Sequence, residues 1–367
     1  MTLHNQTDPL PGGGGLGAGR CVTVHAVKEV LESPAPAITS TAAATIADRL
    51  FGITGRAVAL GGERDANFIL VTSDSKFSLK IANPAERPGV IEMQQLALQH
   101  AGNADATLPI PRPIATRQGH LVGSVELEEG VAAVRLLTYL EGAEIPAGFS
   151  TGPLRHDIGA CLARLDKALL GFEHPEQDRE YLWDLVQLSA IRPLAHHLPG
   201  QQFEFVSNWL DRFRHEVEPR LSATPNQVIH ADFNPWNLLV GFERPESITG
   251  VIDFGDVIRS PRIIDPAIAV AYQCFGQQDL AGVAADVVGA YHQVMTLSGA
   301  EIELVPDLVM ARLVQSLTIG CWRAELHPEN RDYILADAEP AWQAMQRLDQ
   351  LGTEAMGSAI AEACRSQ

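Results

Sequence analysis

The 367-residue chain is 46% hydrophobic and 20% charged, an ordinary globular composition with room for one large core or two smaller ones. Its formal net charge of -18 argues against a phosphate-backbone partner, because nucleic-acid binders cluster Lys and Arg; a negative field favours approach of a cationic small molecule, although such a balance more often reflects solubility alone. No apolar run reaches the roughly 20 residues that cross a bilayer, and the start lacks a basic segment followed by an apolar one, so neither membrane nor secretion is expected.

Residues 1–37 read as a flexible leader, with a Gly run from Gly12 to Gly15 that no Gly-Lys-Ser/Thr follows and a short apolar patch at 22–30. A helix is expected over residues 42–50, with Ser40 or Thr41 as its N-cap and Gly52 closing it. Three strands follow, at 56–60, 67–72 and 76–81. The loop between the first two, Gly61-Gly62-Glu63-Arg64-Asp65-Ala66, stands where a kinase covers phosphates, although the usual G-x-G-x-x-G is absent. Gly61 and Gly62 permit close approach of a ligand, and a plain hairpin turn explains them equally well. In the third strand Phe77, Leu79 and Ile81 share one face, while small Ser78 and Ala82 flank Lys80 on the other and leave room beside it.

Pro84 and Pro88 precede a helix expected over 89–101, with Glu92 in its first turns, where an acid also suits the positive helix end. Residues 108–113 are too Pro-rich for a helix and read as an extended connector. Strands at 120–126 and 131–140 then bring the antiparallel sheet to about five strands. From Gly152 onward the chain reads as mostly helical, beginning with the stripe Leu154, Ile158, Leu162, Leu165 and Leu169, and continuing with stripes at 203–217, 266–275, 283–294 and 308–322. Cys21, Cys161, Cys274, Cys321 and Cys364 are widely separated and odd in number, as reduced cytoplasmic thiols would be.

The chemistry is concentrated in VIHADFNPWNLLV at 228–240 and ITGVIDFG at 248–255. Apolar residues flank the polar ones on both sides, so a strand, a polar loop and a β-hairpin hold His230, Asp232, Asn237 and Asp253 at strand ends. An Asp beside Asn and Pro is ordinarily a turn, and D-F-G arises readily by chance. Their order and the interposed hairpin select a different reading. A base at Asp232 and two hard-oxygen ligands at Asn237 and Asp253 are what phosphoryl transfer requires.

At these residues the sequence resembles the aminoglycoside phosphotransferase (APH) family of small-molecule kinases, with the small Ala231 after the motif His as in those enzymes. ERDANF at 63–68, LKIAN at 79–83, VRLLTYLEG at 134–142 and VIDFGD at 251–256 resemble more specifically the hydroxylysine kinase group. The resemblance runs from about residue 38 to about 351 and implies an α+β, protein-kinase-like bilobal fold. Its N-lobe, 38–140, would hold the antiparallel sheet and a helix; its C-lobe, 141–367, would be mostly helical around the catalytic hairpin.

The resemblance also implies roles. Asp232 would accept the hydroxyl proton, His230 brace the loop, and Asn237 with Asp253 hold Mg²⁺. Lys80, paired with Glu92, would hold the α and β phosphates of ATP or GTP, with Gly61 and Gly62 above them and the hinge at Tyr139 and Leu140 beside the base. Asp265 reads as a helix cap, or as a further brace by family analogy. Asp256, Trp236, Trp322 and Glu325 are the candidate acceptor walls, chosen as acids and aromatic faces suited to an ammonium, with a purely structural place the commoner reading for each alone. The acceptor implied is an amine-bearing alcohol, hydroxylysine in particular, with homoserine, choline, ethanolamine and aminoglycosides open. A catalytically idle nucleotide-binding module is the reading from another class, and retention of Asp232, Asn237 and Asp253 counts against it.

Overall fold

The computed structural model describes residues 35–62, 64–146 and 148–366. The expected leader therefore lies outside the described residues as far as residue 34, and so does Glu63. Helix α1 (Ser40–Phe51) is capped by Thr39, whose hydroxyl accepts from the Ala42 N–H at 3.2 Å, so the cap lies just before both expected candidates, Ser40 and Thr41. Gly52 closes it in the left-handed region, φ 72°, as expected of a C-terminal Gly.

Antiparallel strands β1 (Arg56–Leu60), β2 (Ala66–Val71) and β3 (Lys76–Ile81) follow, with Leu79 and Ile81 fully buried on the inner face. After helix α2 (Pro88–Ala104) come β4 (Pro113–Ile114), β5 (Gly123–Leu127) and β6 (Gly130–Thr138). The sheet runs β1-β2-β3-β6-β4, with β5 also paired to β6. It has six strands where about five were expected. The addition is the two-residue β4, which the connector's prolines confine to a sheet margin because Pro113 has no N–H to donate.

β7 (Ala143–Glu144) carries the chain into the helical part, where α3 (Gly152–Ala168) and α4 (Gly200–Arg212) follow. β8 (Asn226–Ile229), β9 (Leu238–Val240), β10 (Ile248–Val251) and β11 (Ile258–Pro261) then form two small sheets. β9 and β10 are the expected hairpin, but β7 joins β9 as a third strand, and β8 pairs with β11. The loop after β8 and the turn after β10 are thus both anchored at strand ends.

The expected apolar stripes fall on α3, α4, α5 (Ile264–Gln273), α6 (Leu280–Val294) and α7 (Gly299–Leu326); α8 (Ala338–Leu351) and α9 (Thr353–Arg365) complete the order. By length and composition alone the 28-residue α7 could cross a membrane. With 83% of its apolar window buried inside the fold, it is the central core helix. Two cores result. One lies between α1 and the sheet, built on Ala43, Phe51, Leu70, Leu79 and Val134. The other fills the helical part and includes Met93, Ala97, Leu98 and Ala101 of α2, so α2 packs with the helices and not only with the sheet that precedes it.

Candidate active site

β8 runs buried to Ile229, and the backbone then turns sharply. The N–H groups of His230 and Ala231 both donate to the Asp265 carboxylate, at 2.9 and 2.7 Å. Ala231 sits at φ 63°, a left-handed conformation that a bulky side chain would strain, which accounts for the small residue between His230 and Asp232. Asp265 lies inside the first turn of α5 and braces this loop; it is not the residue before the helix. Burial pushes its carboxyl up, as it does that of Asp166 beside it, while the two backbone N–H bonds favour the charged form of Asp265.

The His230 ring is wholly buried against Phe233 and Phe254, edge to face. Its Nδ1 accepts from the Asp232 N–H at 3.3 Å, so Nε2 carries the proton and donates to the Ile252 carbonyl, also at 3.3 Å. His230 therefore ties the Asp232 loop to the strand leading to Asp253.

Three donors fix the Asp232 carboxylate. Arg312 Nη2 (2.6 Å) and Asn234 Nδ2 (2.9 Å) reach Oδ1, and Asn237 Nδ2 (2.7 Å) reaches Oδ2. Burial and then the nearby Asp256 push the carboxyl up from its usual range, against the opposing pull of Arg312. Arg312 comes from α7, is 2% exposed, bonds Gln315 at 3.1 Å, and lies between the rings of Trp183 and Tyr272 at 5.0 and 5.6 Å. Sequence reading missed it. The available signal was an arginine inside the apolar stripe at 308–322, a position that costs too much unless the charge is paired.

Asp253, at φ 58°, ends the hairpin, and its Oδ1 accepts from the Gly255 N–H at 3.1 Å. Lys80 Nζ lies 3.4 Å from the same oxygen, and its charge holds the carboxyl far below the usual range against the pull of burial, with Arg64 and Arg135 assisting. The Asn237 carbonyl accepts from the Ile252 N–H at 2.9 Å, which joins the two halves of the site. Because the Asn237 side-chain nitrogen is committed to Asp232, its Oδ1 is the side-chain atom left to accept. Asn237 Oδ1 and the ionised Asp253 are hard oxygens of the kind Mg²⁺ takes. Among the described residues no group of three or more His, Cys, Asp or Glu could hold a metal unaided, so a bound cation would have to share its shell with a ligand or water.

The expected Lys80–Glu92 pair is not formed. Glu92 is exposed, and the inward face of α2 carries buried Gln94 and Gln95 instead. Gln94 bonds Arg135 and donates to the Gly255 carbonyl at 3.1 Å, so an amide and not a carboxylate meets the D-F-G turn from this helix. Gly62 serves the hairpin itself, since a Cβ there would lie 2.2 Å from Asn67 Nδ2 and 2.6 Å from the Asp65 carbonyl, whereas Gly61 faces open space. Tyr139 and Leu140 are half-buried and lead directly into β7; the Tyr139 N–H makes only a long, 3.4 Å bond to the Lys76 carbonyl.

A cavity of about 290 Å³ opens on Asp232 and Asn237, walled by Trp183, Trp236, Tyr272, Tyr333 and Asp337. Of the four expected wall residues only Trp236 lines it, half exposed and edge-on to Tyr272 at 5.5 Å. Trp322 is 4% exposed and belongs to the core, because it continues the apolar stripe of α7. Glu325 pairs with His197 at 2.6 Å and lines a different cavity. Asp256 is buried and bonded to Tyr181 and Arg64. The acid in the wall is Asp337, just before α8, whose carboxyl burial pushes up to about 6. It occupies the N-cap position of α8, but its side chain makes no cap bond.

The profile of the phosphotransferase enzyme family (APH) matches residues 55–302. Among similar curated proteins are hydroxylysine kinase of Danio rerio, 29% identical over 84% of this chain and 91% of that one, and hydroxylysine kinase of Mus musculus, 25% identical over 91% and 95%. Among solved structures, amicoumacin kinase hAmiN in complex with AMP-PNP, Ca²⁺ and Ami shares the fold, with TM-score 0.64 and 16% identity over 84% of this chain and 96% of that one.

Proposed function

Because this chain belongs to the phosphotransferase enzyme family, we propose that it transfers the γ-phosphoryl group of ATP or GTP to the hydroxyl of an amine-bearing alcohol, hydroxylysine being the favoured acceptor. The observation that carries the reading is the Asp232 carboxylate, fixed by three donors at the mouth of an aromatic cavity and on the same loop as Asn237. Asp232 orients the acceptor hydroxyl and takes its proton as the oxygen meets phosphorus. Lys80, released from Asp253 toward an incoming nucleotide, meets the α and β phosphates. Asn237 and Asp253 would hold Mg²⁺, which when bound neutralises charge between the phosphates. His230 and Asp265 keep the loop in register.

The acceptor assignment is supported by the sequence similarity to hydroxylysine kinases and by the wall chemistry, in which aromatic faces and Asp337 suit an ammonium. Release of nucleoside diphosphate from ATP and GTP, measured with Mg²⁺ against hydroxylysine, homoserine, choline, ethanolamine and aminoglycosides, tests it. Selective stimulation by hydroxylysine is the expected result, and stimulation by none of them would overturn the reading.

Protonation supplies a second check. Asp337 is an anion above its raised value of about 6 and neutral below it, so the KM for an ammonium-bearing acceptor rises as pH falls from 7 to 5. The cavity's other charged groups, Asp232 and Arg323, are common to wild type and Asp337→Asn, so the variant should lose the Asp337 share of that rise. An unchanged KM profile in the variant would remove Asp337 from the acceptor site.

A further inference from the structure

Arg64 has no part in the steps above, yet from the β1–β2 turn its side chain reaches into the helical part. Nη1 donates to the Tyr181 hydroxyl and Nη2 to the Asp256 carboxylate, both at 3.1 Å. A Cβ at Gly255 would lie 3.5 Å from Nη2, so the guanidinium rests on the D-F-G turn itself. Asp253 is within electrostatic reach, and Arg64 is one of the cations that keep it ionised.

The turn is not loose on its other side. Asp65, the next residue, bonds Arg135 at 2.7 Å and accepts from the Asn83 N–H at 3.4 Å. Asn67 Nδ2 donates to the Asp65 carbonyl at 3.2 Å. Arg64 is thus projected from a fixed base, and Tyr181 with Asp256 sets the plane of its fork. The side chain remains 32% exposed, with further N–H donors of the guanidinium beyond the two in use. A planar cation with open donors, carried by the loop expected to cover phosphates and beside the carboxylate proposed to hold Mg²⁺, matches the needs of a terminal phosphoryl group.

We propose that Arg64 is a catalytic residue that contacts the γ-phosphoryl oxygens and carries their charge during transfer. The inference rests on the phosphotransfer reading. In the step, the bond from phosphorus to the β–γ bridging oxygen breaks, with its electron pair leaving on the nucleoside diphosphate. The bond from the acceptor oxygen to phosphorus forms, and the hydroxyl proton goes to Asp232. Arg64 makes and breaks no covalent bond.

The test is equilibrium binding to the full chain with Mg²⁺, comparing ADP with AMP-PNP and GDP with GMP-PNP, for wild type, Arg64→Lys and Arg64→Met. For a γ-phosphoryl contact, Arg64→Met lowers affinity for the triphosphate analogue by about tenfold or more and for the diphosphate by less than about threefold. Turnover falls by on the order of 10²- to 10³-fold, and Arg64→Lys, which keeps the charge but not the fork, lies between. Equal loss for di- and triphosphate would show that Arg64 only straps the turn to Asp256, and no loss for either would also overturn the proposal. Wild-type protein that binds neither nucleotide would overturn the phosphotransfer reading itself.

Discussion

Replacing Asp232 with Asn is expected to abolish transfer while nucleotide affinity stays within about threefold of wild type. Loss of a positioned base alone removes roughly 10²- to 10⁴-fold in rate, and the geometry here adds to it. Asp232 accepts at both oxygens, from Arg312 and Asn234 on one and from Asn237 on the other. An amide offers only one oxygen, so its nitrogen must face a donor on one side. Facing Asn237, it sets nitrogen against nitrogen and breaks the bond that fixes Oδ2. Facing Arg312, it sets two donors against each other in a buried place. Single-turnover assays beside calorimetric nucleotide binding separate the two effects. Retained turnover would show that Asp232 is not the base.

The second large effect is expected at Arg312. Arg312→Met keeps much of the side chain's length but leaves the part-buried Asp232 carboxylate, 21% exposed, without its cation, a change that costs less than the roughly 3–5 kcal/mol of a fully buried pair that loses one member. Asp232 is then held only by amides, and its Oδ1, left with the Asn234 bond alone, moves from the position that Arg312 fixed. Turnover should fall by on the order of 10²-fold, since a misplacement of about 1 Å has that effect, and the melting temperature should drop by several degrees. Arg312→Lys should recover only part of either loss, because an ammonium neither forks to Gln315 and Asp232 nor stacks between Trp183 and Tyr272. If kcat in Arg312→Met equals that of wild type, Arg312 does not position the base.

What the sequence revealed and what it hid follow one physical division. β1 and β3 were legible to the residue, because alternation of small or polar with apolar side chains is a local signal. The loop from His230 to Asn237 was legible because its chemistry is short-range in sequence. Glu92 failed because its place depends on the phase of a helix against a sheet. The buried set Val90, Met93, Gln94, Ala97 and Ala101 marks the inner face of α2, and the 3.6-residue period puts Glu92 off it. β4 and β7 have two residues each, too few for any periodicity. Trp322 and Glu325 were chosen by chemical type, whereas their surroundings are fixed by contacts distant in sequence. Asp337 was not singled out, because its place in the cavity wall is set by contacts distant in sequence, and Arg312 was hidden by the apolar stripe that buries it.

The packing of α2 bears on how the chain can be divided. A fragment cut after the sheet, near residue 140, would carry α2 with Met93, Ala97, Leu98 and Ala101 stripped of their cover. Fully exposing Met93 and Leu98 costs about 1.5–3 kcal/mol each, and a contiguous apolar face of that kind drives association between copies. The complementary fragment would be left with a trench where the helix had lain. The sheet and the helical part are therefore not interchangeable cassettes. Shuffling the sheet half of this chain onto another helical half would require the graft to carry the trench-lining residues along with the strands.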